Sequence, residues 1–198
     1  MNKVTLIGTV VSSPKLLYVN KKGVEKYQFM VMSKRLSNNE DILPVITNDL
    51  NIVKDIQEGD RVWIDGSYLS FNKIIEGKSK LKLNIFANHI TILTENSSYV
   101  DDNVIEFTGT ICKQPIMRKT PLGKTITDLL IAVNRDNSEF SDYIPTITWG
   151  SAAIKAADLK VGDKVTLNGR IQSRVYTKNE QDFITYEVSV AKLTEEKL

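Results

Sequence analysis

The chain has 198 residues, 41% of them hydrophobic and 25% charged, which suits a soluble protein of two domains, each with one modest core. A single cysteine, Cys112, excludes an intrachain disulfide and a cysteine-based metal site. The net charge is only +2, with 13 basic against 10 acidic residues in 1–100 and 13 against 14 in 101–198, so any basic surface must be a local stripe.

In chain order, VTLIGTVV (4–11) comes first, alternating apolar residues with Thr. It reads as a strand rather than a signal peptide, since no cleavage region follows it. No apolar run approaches the roughly 20 residues of a membrane helix, and the cytoplasm is the expected compartment. The turn NKKG (20–23) leads to a second strand, KYQFMVMSK (26–34), and DILPVITND (41–49) is the third. LNIVKDIQEGD (50–60) is helix-like, with Gly59 placed to end it as a left-handed C-cap. DRVWIDGSYLSF (60–71) and LKLNIFANHITIL (81–93) complete five strands, and the polar, acidic TENSSYVDDN (94–103) reads as a linker.

The chain then says the same thing again. LIGTVVSSP (6–14) aligns with FTGTICKQP (107–115), NKKG with TPLG (120–123), and DILPVITND with DYIPTITWG (142–150). SAAIKAADLKVGD (151–163) repeats the helix, with Gly162 in the place of Gly59, and EGDRVWIDGSYLSF (58–71) matches VGDKVTLNGRIQSR (161–174). The offset drifts only from 100 to 103, and the Gly and Pro landmarks stay in register. The expected architecture is all-β: two tandem OB-folds, five-stranded Greek-key barrels with one helix between strands 3 and 4. Another small barrel or sandwich is the competing layout, disfavoured by the helix position. The expected division is 1–95 and 104–198, joined by 96–103.

The second copy resembles the bacterial and phage single-stranded-DNA-binding proteins. The resemblance rests on the opening G-T-x-x-x-x-P from Gly109, on L-x-I-A-V-N-R from Leu129, on DYIPTITWG, on V-x-L-x-G-R-I-x-S-R-x-Y from Val165, and on ITYEVSVAKL (184–193). It covers nearly all of 104–193, and the first copy follows the outline more loosely. It implies sequence-tolerant binding of single-stranded DNA in replication, recombination or repair, without catalysis or cofactor. By this alignment the base-stacking positions fall on Tyr143, Trp149 and Tyr176, and the phosphate-contacting arginine of the opening hairpin on Arg118. A further family aromatic is missing, since Asn137 stands there; Phe140 compensates only if its loop brings it round.

The residues support that reading independently. Such binding needs flat rings for bases and cations for phosphates. Tyr143 and Trp149 lie six apart in one strand and share a face, and alternation puts Arg170, Gln172, Arg174 and Tyr176 together on another strand. Arg118, Arg135, Arg174 and Lys178 are candidate phosphate contacts, or else simply solvated charges. Trp63 reads as packing, and His89 and Cys112 as structural.

In the first copy the stacking positions become Ile42, Asn48 and Lys73, none of which can stack a base. What remains is Phe71 and Lys73 on the fourth strand, Lys34 and Arg35 at the end of the second, and Tyr18 with Lys15 near the opening hairpin. Three readings stay open: DNA contact through the shifted set Phe71, Lys73, Lys34 and Arg35; weak binding with an assembly role; or a face turned over to partner docking. The rival for the whole chain is a protein-interaction module of a replication or primosome assembly. An enzyme is disfavoured, because the chain offers no Gly-rich phosphate loop, no His/Cys/carboxylate cluster and one histidine. RNA stays open as a ligand; no membrane and no small-molecule substrate are expected. Family members commonly work as four OB domains, so the resemblance implies a homodimer. KLTEEKL (192–198) lacks the family's acidic recruiting tip, so that role is expected elsewhere.

Overall fold

The computed structural model of the protein describes residues 1–75, 77–94, 97–136, 138–178 and 181–196; the side chains of Lys178, Gln181 and Asp182 are outside the description. The first copy is built from β1 (Asn2–Val19), β2 (Glu25–Lys34), β3 (Glu40–Thr47), α1 (Leu50–Asp55), β4 (Arg61–Ile75) and β5 (Lys78–Ile92). Its strands run in the order β2-β3-β5-β4-β1, and β1 closes the barrel by pairing again with β2. One long strand serves both ends because β1 is bent. Residues 4–9 pair with β4, and residues 9–19 pair with β2 through three register shifts around Pro14.

The second copy comprises β6 (Asp102–Ile111), β7 (Ile116–Lys119), β8 (Thr125–Asn134), β9 (Ser141–Trp149), α2 (Gly150–Ala157), β10 (Lys164–Lys178) and β11 (Gln181–Glu195). The order is β6-β10-β11-β9-β8-β7, closed by β6 on β8. In both copies the third and fifth strands pair in parallel, Ile46 with Phe86 and Ile147 with Ser189. These are the two OB-folds expected from the repeat. Period-two alternation fills each barrel: Leu6, Phe29, Val31, Leu43, Ile64 and Tyr68 are buried in one, and Phe107, Ile131, Ile144, Leu167 and Val188 in the other.

The glycines that keep the copies in register sit where backbones cross. A Cβ on Gly8 would lie 2.3 Å from the Met32 carbonyl oxygen, and on Gly109 it would lie 2.6 Å from that of Ala132. Gly59 and Gly162 act differently from the expectation. The helices end earlier, with C-caps at Ile56 and Asp158. Both glycines adopt positive φ, 100° and 102°, in the turn that enters the fourth strand. Their amides donate to the Val10 and Ile111 carbonyls at 2.9 Å. The left-handed conformation is therefore needed to return the chain to the first strand, not to stop the helix.

By contacts the chain divides into two compact units, one of Lys3–Tyr68 with Leu83–Val104 and one of Met1–Asn2, Leu69–Lys82 and Ile105–Leu198. The end of the segment read as a linker is held within the first of these. Tyr99 packs edge-on against Trp63 with ring centroids 5.0 Å apart, Arg61 pairs with Asp101, and the Lys34 amide donates to Asp101 Oδ2 at 2.7 Å. Trp63 is thus a packing residue, as its position in the strand suggested.

Candidate nucleic-acid interface

Along β9, Asp142, Ile144, Thr146 and Thr148 are buried, and alternation sets Tyr143, Pro145, Ile147 and Trp149 on the other face, where Tyr143 and Trp149 are exposed and Ile147 is covered. Tyr143 is 45% and Trp149 37% exposed. The Trp149 indole is aimed by its N–H, which donates to Ser189 Oγ at 3.1 Å. Trp149 also occupies the N-cap position of α2 and makes no side-chain cap bond there, whereas Asp49 at the start of α1 accepts from the amides of Asn51 and Ile52. An exposed ring thus stands where helix physics favours a capping side chain.

Register extends this surface across the sheet. Arg118 pairs with Ile126, and Ile126 with Trp149, so one row crosses β7, β8 and β9. The Arg118 guanidinium donates to Asp128 from Nε and Nη2, at 2.5 and 3.1 Å. That bond raises the Arg118 pKa, with the charge of Asp128 and then of Glu187 adding to it. On the neighbouring hairpin Arg170, Gln172, Arg174 and Tyr176 stand opposite Ser189, Glu187, Thr185 and Phe183. The shared face inferred from alternation is therefore present. Arg170 donates to Gln172 at 3.2 Å, and Gln172 to Glu187 at 2.7 Å. Tyr176 stacks on Phe183 with centroids 5.6 Å apart and an interplanar angle of 24°. The Lys80 ammonium lies 5.9 Å from the Phe183 ring centre. Phe183 was missed in the sequence, although it is the direct cross-strand neighbour of Tyr176.

Arg135 has a different place. Its Nε and Nη2 clasp the fully buried Asp142 carboxylate at 2.9 and 2.7 Å, and Nη2 also donates to the Ser70 carbonyl at 2.8 Å. The Ser70 amide donates to Asp142 Oδ1 at 2.5 Å, and the Tyr143 amide to Ser70 Oγ at 2.8 Å. The arginine is part of a buried ion pair that fixes the backbone at Tyr143. Phe140 is 72% exposed at the loop; Asn137 lies outside the described residues, as does the Lys178 side chain. Among the described residues no group of three His, Cys, Asp or Glu could hold a metal ion. The surface can offer rings to bases and arginines to phosphates, tempered by Asp128 and Glu187.

Residues 102–195 match the Single-strand binding protein family. The motifs read in the second copy thus belong to one continuous match over that copy. Among curated relatives, the single-stranded DNA-binding protein of Clostridium tetani is 32% identical over 80 residues, which is 37% of this chain and 55% of that protein. Single-stranded DNA-binding protein 2 of Listeria innocua is 34% identical over 80 residues, covering 37% and 50%. The chain spans about half the length of these relatives. The wild-type single-stranded DNA binding protein of Thermus aquaticus aligns by structure over 100% of this chain and 94% of its own, with TM-score 0.81 and 20% identity. That likeness establishes the fold.

Outside the family-matching copy the candidate residues scatter. Phe71 is 38% exposed and Lys73 is exposed, but both fall within the contact unit of the second copy. Lys34 faces Glu40 at 3.9 Å. Arg35 donates to the buried Asp41 from Nε and Nη2 at 2.6 and 2.5 Å, repeating the Arg135–Asp142 pair. Ile42 is 38% exposed, and Asn48 stands exposed where Trp149 stands in the other copy.

Proposed function

We propose that this protein binds single-stranded DNA with little regard to sequence. Bases stack on Trp149, Tyr143 and the Tyr176–Phe183 pair, while Arg118, Arg170, Arg174 and Lys178 hold phosphates. The single observation that carries this is the row of Arg118, Ile126 and Trp149, in which an exposed arginine and a partly exposed indole fixed by Ser189 flank the buried Ile126. A family match over the same copy supports it. The activity is binding rather than catalysis, in replication, recombination or repair, in the cytoplasm. Residues 1–95 and 104–198 are its two OB domains. Two chains together would present four such domains to one strand, raising the effective concentration of each once the first is bound; a homodimer is therefore the proposed working form.

The test is a fluorescence titration of the full chain with poly(dT). Trp149→Ala should weaken binding roughly 5- to 150-fold. A base stacked on an aromatic ring is worth about 1–3 kcal/mol. Trp149→Phe should recover most of the loss. Unchanged affinity for Trp149→Ala, or indole emission indifferent to added strand, would overturn the reading.

A further inference from the structure

The first copy has no ring on β3 to match Trp149, yet the ladders show where one has gone. Gln28 pairs with Ile46 as Asp128 pairs with Ile147, and Ile46 pairs with Phe86 as Ile147 pairs with Ser189. Phe86 therefore occupies the position of Ser189, the residue that holds the Trp149 indole. It is outward-facing and partly exposed, between the buried Ile85 and Ala87. The Lys26 ammonium sits 4.4 Å from the Phe86 ring centre. Lys26 pairs with Tyr18 as Ile126 pairs with Arg118, and Tyr18 is 47% exposed. The paired positions Arg118 and Ile126 have thus become Tyr18 and Lys26, Asn48 stands just past the end of β3 in the place of Trp149, and the ring has moved one strand over.

The electrostatics changed in the same direction. Gln28 and Asn84 stand where the second copy has Asp128 and Glu187, and they bond to each other, Gln28 Nε2 donating to Asn84 Oδ1 at 2.6 Å. Two carboxylates that would repel a phosphate are replaced by a neutral, self-satisfied amide pair. Burial pulls the Lys26 pKa below the ordinary lysine value, so a phosphate partner relieves a cation already partly stripped of water.

We propose that the first copy carries a rebuilt single-strand subsite in which a base stacks on Phe86, the displaced Lys26 ammonium pairs with a neighbouring phosphate, and Tyr18 offers a second ring. The Lys26 ammonium, 4.4 Å from the ring centre, covers the face on which a base would stack, so the base takes the cation's place. The inference rests on the single-strand reading of the second copy, and the experiment separates the two.

Full-length variants are titrated with labelled oligo(dT) of about 8 and about 30 nucleotides, lengths chosen to occupy one OB domain or more than one. Phe86→Leu, which keeps apolar volume without the ring, and Lys26→Gln should each weaken the long strand about tenfold and leave the short one unchanged. Phe86→Tyr should bind as the parent does. Lys26→Gln should also reduce the salt slope on the long strand by about 0.7. Trp149→Ala should weaken both lengths. If Phe86→Leu and Lys26→Gln match the parent while Trp149→Ala is impaired, the subsite is refuted and the second-copy reading stands. If Trp149→Ala alone is silent, the second-copy reading fails and the subsite stands. Equal losses on both lengths with a lowered melting temperature would make Phe86 a packing residue and overturn the proposal.

Discussion

Arg135 gives the sharpest contrast between a charge that contacts a ligand and one that holds the fold. Consider Arg135→Ala. Asp142 has no exposed side-chain surface, and Arg135 is 34% exposed. The substitution removes both guanidinium bonds and the bond to the Ser70 carbonyl, leaving a buried carboxylate served by the Ser70 amide. Breaking a buried pair from one side costs about 3–5 kcal/mol. The partly solvated guanidinium and the remaining amide bond bring this pair below that range, to about 2–3 kcal/mol. In a domain of about a hundred residues that lowers Tm by roughly 10–20 °C. The assay is a thermal melt beside a salt titration of oligo(dT) affinity at a temperature where the variant is folded. Melting should fall steeply while the slope of log affinity against log salt stays that of the parent, because no phosphate contact is lost. A shift in Tm of less than about 3 °C with a salt slope reduced by about 0.7 would refute the reasoning and return Arg135 to the phosphate contacts.

Arg118→Ala should behave in the opposite way. Its pair with Asp128 is exposed on both sides, 42% and 35%, so stability should change by about 0–1 kcal/mol while the salt slope on single strand falls by about 0.7; an unchanged slope would remove Arg118 from the interface. Light scattering on the free chain should give twice the 22.3 kDa of one chain, and a mass of one chain at micromolar concentration would refute the homodimer.

Most of the scaffold was legible because it rests on residues with few alternatives. Gly8 and Gly109 admit no Cβ, and the alternation of Val62, Ile64 and Tyr68 leaves one possible inner face. Tyr143 and Trp149 were legible as one face of a strand, and the family resemblance named them together with Tyr176; all three rings are exposed. The charges were not. Arg35 and Arg135 read as surface cations because their acids, Asp41 and Asp142, lie across a loop, and a loop does not announce which residues it brings opposite one another. The helix ends were misread because Gly59 and Gly162 carry positive φ for a turn whose hydrogen bonds run to a distant strand. Phe183 and Phe86 escaped because each acquires meaning only through its cross-strand neighbour.

Placement of the ring separates the two copies physically. At the end of β9 Trp149 displaces a helix cap, and α2 begins without a side chain on its first amides. In the first copy the chain keeps Asp49 as that cap, a feature worth about 1 kcal/mol, and α1 at six residues is the shorter helix, with no buried side chain of its own to hold it. A ring at the end of β3 would compete with the cap of a helix that can least spare it. On β5, Phe86 reaches the same patch of surface from a strand whose backbone is already satisfied by β3, so the cap and the ring coexist. The lysine then follows the ring, since position 26 lies beside position 86 and position 118's counterpart, Tyr18, has no charge to give. The substitutions that look like loss when the copies are compared residue by residue become a consistent exchange once they are compared row by row.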